Sequence, residues 1–90
     1  MTGIRTAVVG VGHLGASHAR IYGELPQASL VGVYDIDRNR NLEVAGSLGV
    51  RAFSSIEEVT VEAEAVSLAV PTDMHYSLGK YLLSAGMHVL

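Results

Sequence analysis

Gly10-Val11-Gly12-His13-Leu14-Gly15 is a G-x-G-x-x-G string. Three glycines at this spacing do what no side chain can: they let backbone N–H groups come into contact with a phosphate. The first glycine makes a tight turn, the second lets the main chain approach a pyrophosphate, and the third packs the following helix against its strand. The helix start then offers unpaired N–H groups and the positive end of its dipole to the anion. Those roles fall on Gly10, Gly12 and Gly15. A chain with 10 glycines in 90 residues offers several chances for such a string, so its surroundings decide its weight. A β-branched apolar run precedes it, a helical period follows it, and an acid, Asp35, closes the next apolar run. That context argues against the plain alternative, a glycine turn that holds nothing.

Asp35 lies 25 residues after Gly10, a little beyond the roughly 20 usual for an acid that binds a ribose. Its carboxylate suits the 2′-hydroxyl of an adenosine and repels a 2′-phosphate, so NAD is expected, with NADP as the alternative. Arg38 and Arg40 follow closely and are candidates to reach a 2′-phosphate; otherwise they are exposed charges on a helix. Val70-Pro71-Thr72 closes a later apolar run, where Pro71 would turn the chain across the crevice at the carboxyl ends of the strands. His75 opens the helix that follows and is a candidate to touch cofactor or substrate. His13 and His18 are five apart, the wrong spacing for two ligands on one helix face, so no metal site is expected. His18 reads as a hydrogen-bonded buried histidine, and His88 has no visible partner.

These residues need elements to hold them. Ile4 to Gly10 reads as a buried strand, because its apolar run ends at glycine before reaching helix length. From His13 to Leu25 a helix is expected, with Leu14, His18, Ile21 and Leu25 on its inner face and Pro26 beyond its end. Ser29 to Asp35 reads as a second strand. Asp37 caps a second helix, with Leu42, Ala45 and Leu48 inward and Gly49 as its stop. Val50 to Phe53 is a third strand. Ser54-x-x-Glu57 or Ser55-x-x-Glu58 opens a third helix as a capping box. Ala65 to Val70 is a fourth strand. Thr72 or Asp73 caps a last helix with Met74, Leu78, Tyr81 or Leu82, and Ala85 inward, stopped by Gly86. Met87 to Leu90 begins a fifth strand. Strands that are apolar throughout must be covered on both faces. The expected fold is therefore α/β: a doubly wound parallel sheet, Rossmann-like, of five strands with helices on both faces.

Composition agrees. Ninety residues make one domain, 1–90, and 49% hydrophobic with 17% charged residues predicts a packed core. A net charge of −3 gives no basic patch for nucleic acid or an anionic membrane. Without cysteine there is no disulfide, thiolate nucleophile or zinc ribbon, and a cytoplasmic location is expected. No apolar run reaches membrane-span length, and the start from Met1 to Gly12, with Arg5 before an apolar run, is no signal peptide, because the run is too short and no cleavage site follows.

The strings VVGVGHLGASHARIYGELPQASLVGVYDID, LGVRAFSSIEEV, AVSLAVPTDMH and LLSAGMHVL together resemble the Gfo/Idh/MocA oxidoreductases, in their N-terminal NAD(P)-binding domain, along nearly the whole chain. The most specific pieces are Pro71-Thr72-x-x-His75 and Ala85-Gly86-Met87-His88-Val89. The resemblance implies that Gly10, Gly12 and Gly15, with His13 and Leu14, form the phosphate turn. It implies that Asp35 takes the ribose, and that Pro71, Thr72 and His75 line the nicotinamide side, next to Val70 at the strand end. It also implies a Glu-Lys-Pro motif with a catalytic lysine, and a substrate-binding, oligomerising domain, beyond the last strand. Neither lies within these 90 residues, and Lys80, in the last helix, is no substitute for that lysine. The expectation is a fragment of a longer dehydrogenase of sugars, cyclitols or nucleotide sugars, a homo-oligomer, with no catalytic residue assigned among these 90. On this reading the fragment binds cofactor without turnover. A non-enzymatic NAD-binding module is the competing reading. A methyltransferase usually carries an acid before the first glycine, where this chain has Val8-Val9.

Overall fold

Ala7 and Val9 face one side of the sheet and Val8 the other, and all three are buried. That alternation, with apolar residues on both sides, forces a helix layer onto each face. The computed structural model describes residues 3–25, 28–70 and 72–89. Its elements are β1 (Ile4–Val9), α1 (His13–Glu24), β2 (Ala28–Tyr34), α2 (Arg38–Leu48), β3 (Arg51–Ala52), α3 (Ile56–Glu62), β4 (Ala65–Leu68), α4 (Thr72–Ser84) and β5 (His88–Val89). The strands form one sheet in the order β3-β2-β1-β4-β5, every pairing parallel. This is the expected α/β, Rossmann-like architecture. The strand order reverses between β1 and β4, which opens a crevice at their carboxyl ends.

One core lies beneath α3 and α4, built from Ala7, Val9, Phe53, Val59, Val66, Leu68 and Leu82. The other lies beneath α1 and α2, from Val8, Val11, Ala19, Val33 and Ala45. A register shift between Thr6 and Ala7 sets Gly32 opposite Ala7. A Cβ on Gly32 would stand 2.5 Å from the Phe53 ring, so the largest buried side chain depends on that glycine.

The helix faces differ from those expected. Among the described residues of α1, Gly15 and Ala19 are buried and Tyr22 is half-buried, while Ile21 is 46% exposed and Leu25, just past the helix, 41%. The helix lies so close to the sheet that small residues must face it, and the larger apolar ones are displaced to its flank. On α2, Asn41 is buried in place of Leu42, which is 52% exposed, because the Asn41 side-chain amide donates to the Phe53 carbonyl at 2.8 Å. Among the described residues of α4, Leu82 is buried, Met74 and Leu78 are half-buried, and Tyr81 is exposed, as is Ala85 just past the helix. β1, β3 and β4 are shorter than expected, and β2 keeps its expected length but begins one residue earlier. Gly10 leaves the extended region at φ 92°, Val50 and Phe53 flank β3, and β4 ends at Leu68. Pro26 and Leu90 lie outside the described residues.

The caps follow local chemistry. Asp37 accepts from the Arg40 amide at 3.1 Å, and Gly49 ends α2 at φ 67°. Ser55 accepts from the Glu58 amide at 3.2 Å, which is one half of the second capping box; the return bond falls one residue before the cap. The Glu58 carboxylate accepts from the Ser54 amide at 2.9 Å, and Arg51 pairs with the same carboxylate. The Ser54 hydrogen bond, with help from Arg51, holds the Glu58 carboxyl below the ordinary carboxylate range. A depressed acid contributes stability above its unfolded pKa and loses it as pH falls through the folded one. Glu58→Gln is therefore expected to lower Tm at neutral pH, with the difference closing as both proteins are taken below the carboxylate range. Thermal melts of the two across pH check this; a gap that persists in acid would remove the charge from the explanation.

Candidate functional site

The glycine turn sits at the end of β1, where Gly10 donates to the Tyr34 carbonyl and Ala69 donates to the Val9 carbonyl, each at 2.8 Å. Its three glycines are small for different reasons. A Cβ on Gly10 would meet the Ala69 carbonyl oxygen at 2.4 Å, and its φ of 92° already excludes most side chains. A Cβ on Gly15 would stand 1.6 Å from the Gly10 carbonyl oxygen. The fold itself therefore requires both. Gly12 is different. It has an ordinary φ of −65°, and a Cβ there would meet a single atom, an Arg40 guanidinium nitrogen, at 3.6 Å. Among the described residues, nothing in the packing requires a glycine at position 12. What it leaves is open space over the turn.

That space is part of a cavity of about 390 Å³. Gly10, Gly12 and Gly15 form one wall, Asp35, Ile36, Asp37 and Arg40 another, and Ala69, Val70, Met74 and Leu78 a third. Gly12 caps α1 without a side-chain hydrogen bond, and no acid stands in the helix's first turn. The N-terminus of α1 thus reaches the cavity with its positive end neither capped nor neutralised by its own residues.

Asp35 does more than the sequence suggests. One carboxylate oxygen accepts from the Val11 amide at 2.8 Å, and the other from the Asp37 amide at 2.7 Å. It ties the glycine turn to the end of β2 and fixes the entry to α2. Each oxygen keeps a lone-pair direction for a further donor, as a ribose hydroxyl requires.

Of the residues singled out from sequence, Gly10, Gly12, Gly15, Asp35 and Val70 line the cavity together. Arg38 does not. It lines an adjoining hollow of about 280 Å³, which shares Tyr34, Asp35 and Ile36 with the cavity, and Arg40, two residues on, is the arginine beside the turn. Two residues are about 200° of helix, so only one of the pair can face the cavity. His75 is exposed on α4, and that helix lines the cavity with Met74 and Leu78 instead. Pro71 and the side chains of His13, Leu14 and Thr72 lie outside the described residues. His18 is half-buried, 3.4 Å from the Ser67 hydroxyl, and His88 is exposed. Among the described residues no group of three His, Cys, Asp or Glu is placed to hold a metal ion, and no helix is long and apolar enough to cross a membrane.

Residues 4–90 match the family described as oxidoreductase family, NAD-binding Rossmann fold, Gfo/Idh/MocA. The chain belongs to this family. It is 42% identical over 90 residues to the UDP-N-acetylglucosamine 3-dehydrogenase of Acidithiobacillus ferrooxidans, covering all of this chain and 28% of that protein. A crystal structure under that enzyme's name superposes with a TM-score of 0.94 at 41% identity, over all of this chain and 29% of the other. GenD2 from gentamicin A biosynthesis, solved in complex with NAD, superposes at 0.92 with 26% identity, over 99% of this chain and 26% of its own. The glucose-6-phosphate 3-dehydrogenase of Bacillus subtilis is 27% identical over 86 residues, which are 96% of this chain and 25% of that enzyme. The chain therefore spans little more than a quarter of the length of the relatives it matches, and its fold is their NAD-binding Rossmann domain.

Proposed function

We propose that this domain binds NAD in the cavity at the glycine turn, and that the protein it serves dehydrogenates a hydroxyl of a sugar, most simply a nucleotide-linked amino sugar. The observation that carries the binding is Gly12: the fold does not need a glycine there, and a Cβ would stand in the space over the turn. The substrate class rests on the names of the relatives. When bound, NAD supplies two-electron oxidation of an alcohol through its nicotinamide ring. This chain's own residues supply the rest. The N–H groups at the start of α1 face the diphosphate, Asp35 accepts from the adenosine ribose, and Val70, Met74 and Leu78 give an apolar wall that excludes water. Asp35 favours a 2′-hydroxyl over a 2′-phosphate, so NAD is the preferred cofactor. The 90 residues carry no Glu-Lys-Pro string, so no general acid or base for the hydroxyl is assigned within them.

Alanine adopts the Gly12 backbone angles without strain, so Gly12→Ala is expected to cost no more than about 1 kcal/mol in stability. It should weaken NAD at least about tenfold, since its methyl stands where the diphosphate must come close. Calorimetric titration beside a thermal melt separates the two quantities. Equal NAD affinity in wild type and Gly12→Ala would refute the placement. The purified chain is expected to bind NAD and to turn over no sugar or polyol; measured turnover would refute the division of labour.

A further inference from the structure

Of the two arginines that follow Asp35, Arg40 is the one that lines the cavity. It is exposed, stands at the start of α2, and has its own backbone amide pinned by the Asp37 cap. Its guanidinium nitrogen lies 3.6 Å from the position of a Cβ on Gly12, and it lines the same cavity as the three turn glycines. The ion pairs among the described residues use Arg5, Arg20 and Arg51 with Glu24, Glu58, Glu62 and Glu64. Arg40 has none, although Asp35 and Asp37 line the cavity with it. Both carboxylates accept from backbone amides instead, Asp35 from Val11 and Asp37, and Asp37 from Arg40. A guanidinium without an acid, held over the one turn residue whose missing side chain leaves open space, is a cation placed for an anion.

We infer that Arg40 is a diphosphate-binding residue, closing on the cofactor's diphosphate from the α2 side while the N-terminus of α1 meets it from the turn. The inference rests on the placement of NAD at this turn. A guanidinium donates two parallel N–H bonds to phosphate oxygens, and such charge-assisted bonds are strong and salt-sensitive. The position of Arg40 over Gly12, rather than beside the Arg38 hollow on the other side of Asp35, assigns it to the diphosphate and not to a 2′-phosphate.

The test is calorimetric titration of NAD, NADP, ADP and adenosine into wild type, Arg40→Ala, Arg40→Lys and Arg20→Ala. Arg20 is exposed on α1 and paired with Glu24, so its loss controls for net charge. Arg40→Ala is expected to weaken NAD, NADP and ADP by a similar factor, about ten- to hundredfold, and to leave adenosine unchanged. Arg40→Lys should recover part of the loss, and the wild-type advantage should shrink with added salt. Arg20→Ala should behave as wild type. A loss confined to NADP would overturn the assignment and make Arg40 a 2′-phosphate reader. Unchanged affinity for all four in Arg40→Ala would overturn it while leaving the NAD site intact. Failure of wild type to bind any nucleotide would overturn the site and the inference together.

Discussion

Gly15→Ala is expected to lower Tm by about 12 °C or more. Its Cβ would begin 1.6 Å from the Gly10 carbonyl oxygen and 2.7 Å from that carbonyl carbon. Both atoms are backbone, so no side chain can swing aside. To bring that contact beyond 3.0 Å, α1 must lift from the end of β1. That movement opens the core in which Ala19 packs with Val8, Val11 and Val33. Overpacking alone costs about 1–3 kcal/mol, and a backbone clash lies at or beyond the upper end. A chain of this size holds roughly 5–13 kcal/mol in total. A loss of at least about 3 kcal/mol lowers Tm by about 12 °C or more. Circular dichroism on heating reads this directly. A Gly15→Ala protein that melts like wild type would mean that helix and strand are not in this contact.

Asp35→Ser should lose two properties at once. Serine is too short to bridge the Val11 and Asp37 amides, which the carboxylate spans at 2.8 and 2.7 Å. Hydrogen bonds to a charged group contribute about 1.5–3 kcal/mol each, and the two amides are only partly shielded from water. A stability loss of about 2–3 kcal/mol is the expected outcome. NAD should weaken at least about tenfold, through the lost ribose acceptor and the loosened turn together. NADP should lose less than NAD, because the like charge facing its 2′-phosphate is gone. Denaturant melts and titration of both cofactors give the two numbers separately. A variant as stable as wild type would show that the clamp on Val11 is not formed, and equal losses for both cofactors would show that Asp35 does not discriminate.

The glycine turn was legible in the sequence because its meaning is local. Three glycines, a strand before and a helix after specify a backbone path without reference to distant residues. The alternation of helix and strand was legible for the same reason, and fully apolar strands imply cover on both faces. What sequence misread depends on helix phase and on closeness of approach. Apolar periodicity drew the α1 face through Ile21 and Leu25, yet a helix packed tightly on a sheet buries Gly15 and Ala19, which carry little hydrophobic signal. Leu42 looked like a core residue, but the buried hydrogen bond to the Phe53 carbonyl brings Asn41 inward beside Ala45 and leaves Leu42 exposed. The same phase question separates Arg40 from Arg38 and turns His75 away from the cavity. The Asp35 clamp joins residues 24 apart through a side chain, and no spacing rule encodes it.

The placement of NAD at the glycine turn is tested most directly by backbone amide NMR during a titration with NAD. At 90 residues the chain is small enough for every non-proline amide to be followed. The largest shifts are expected at Val11, Gly12 and Gly15 in the turn and at Asp35, Ile36 and Arg40 facing it. The amides of α3, on the opposite layer, should stay near their free positions. Shifts concentrated around the hollow between His18, Tyr22 and Ser67, or no shifts at millimolar NAD, would contradict the account.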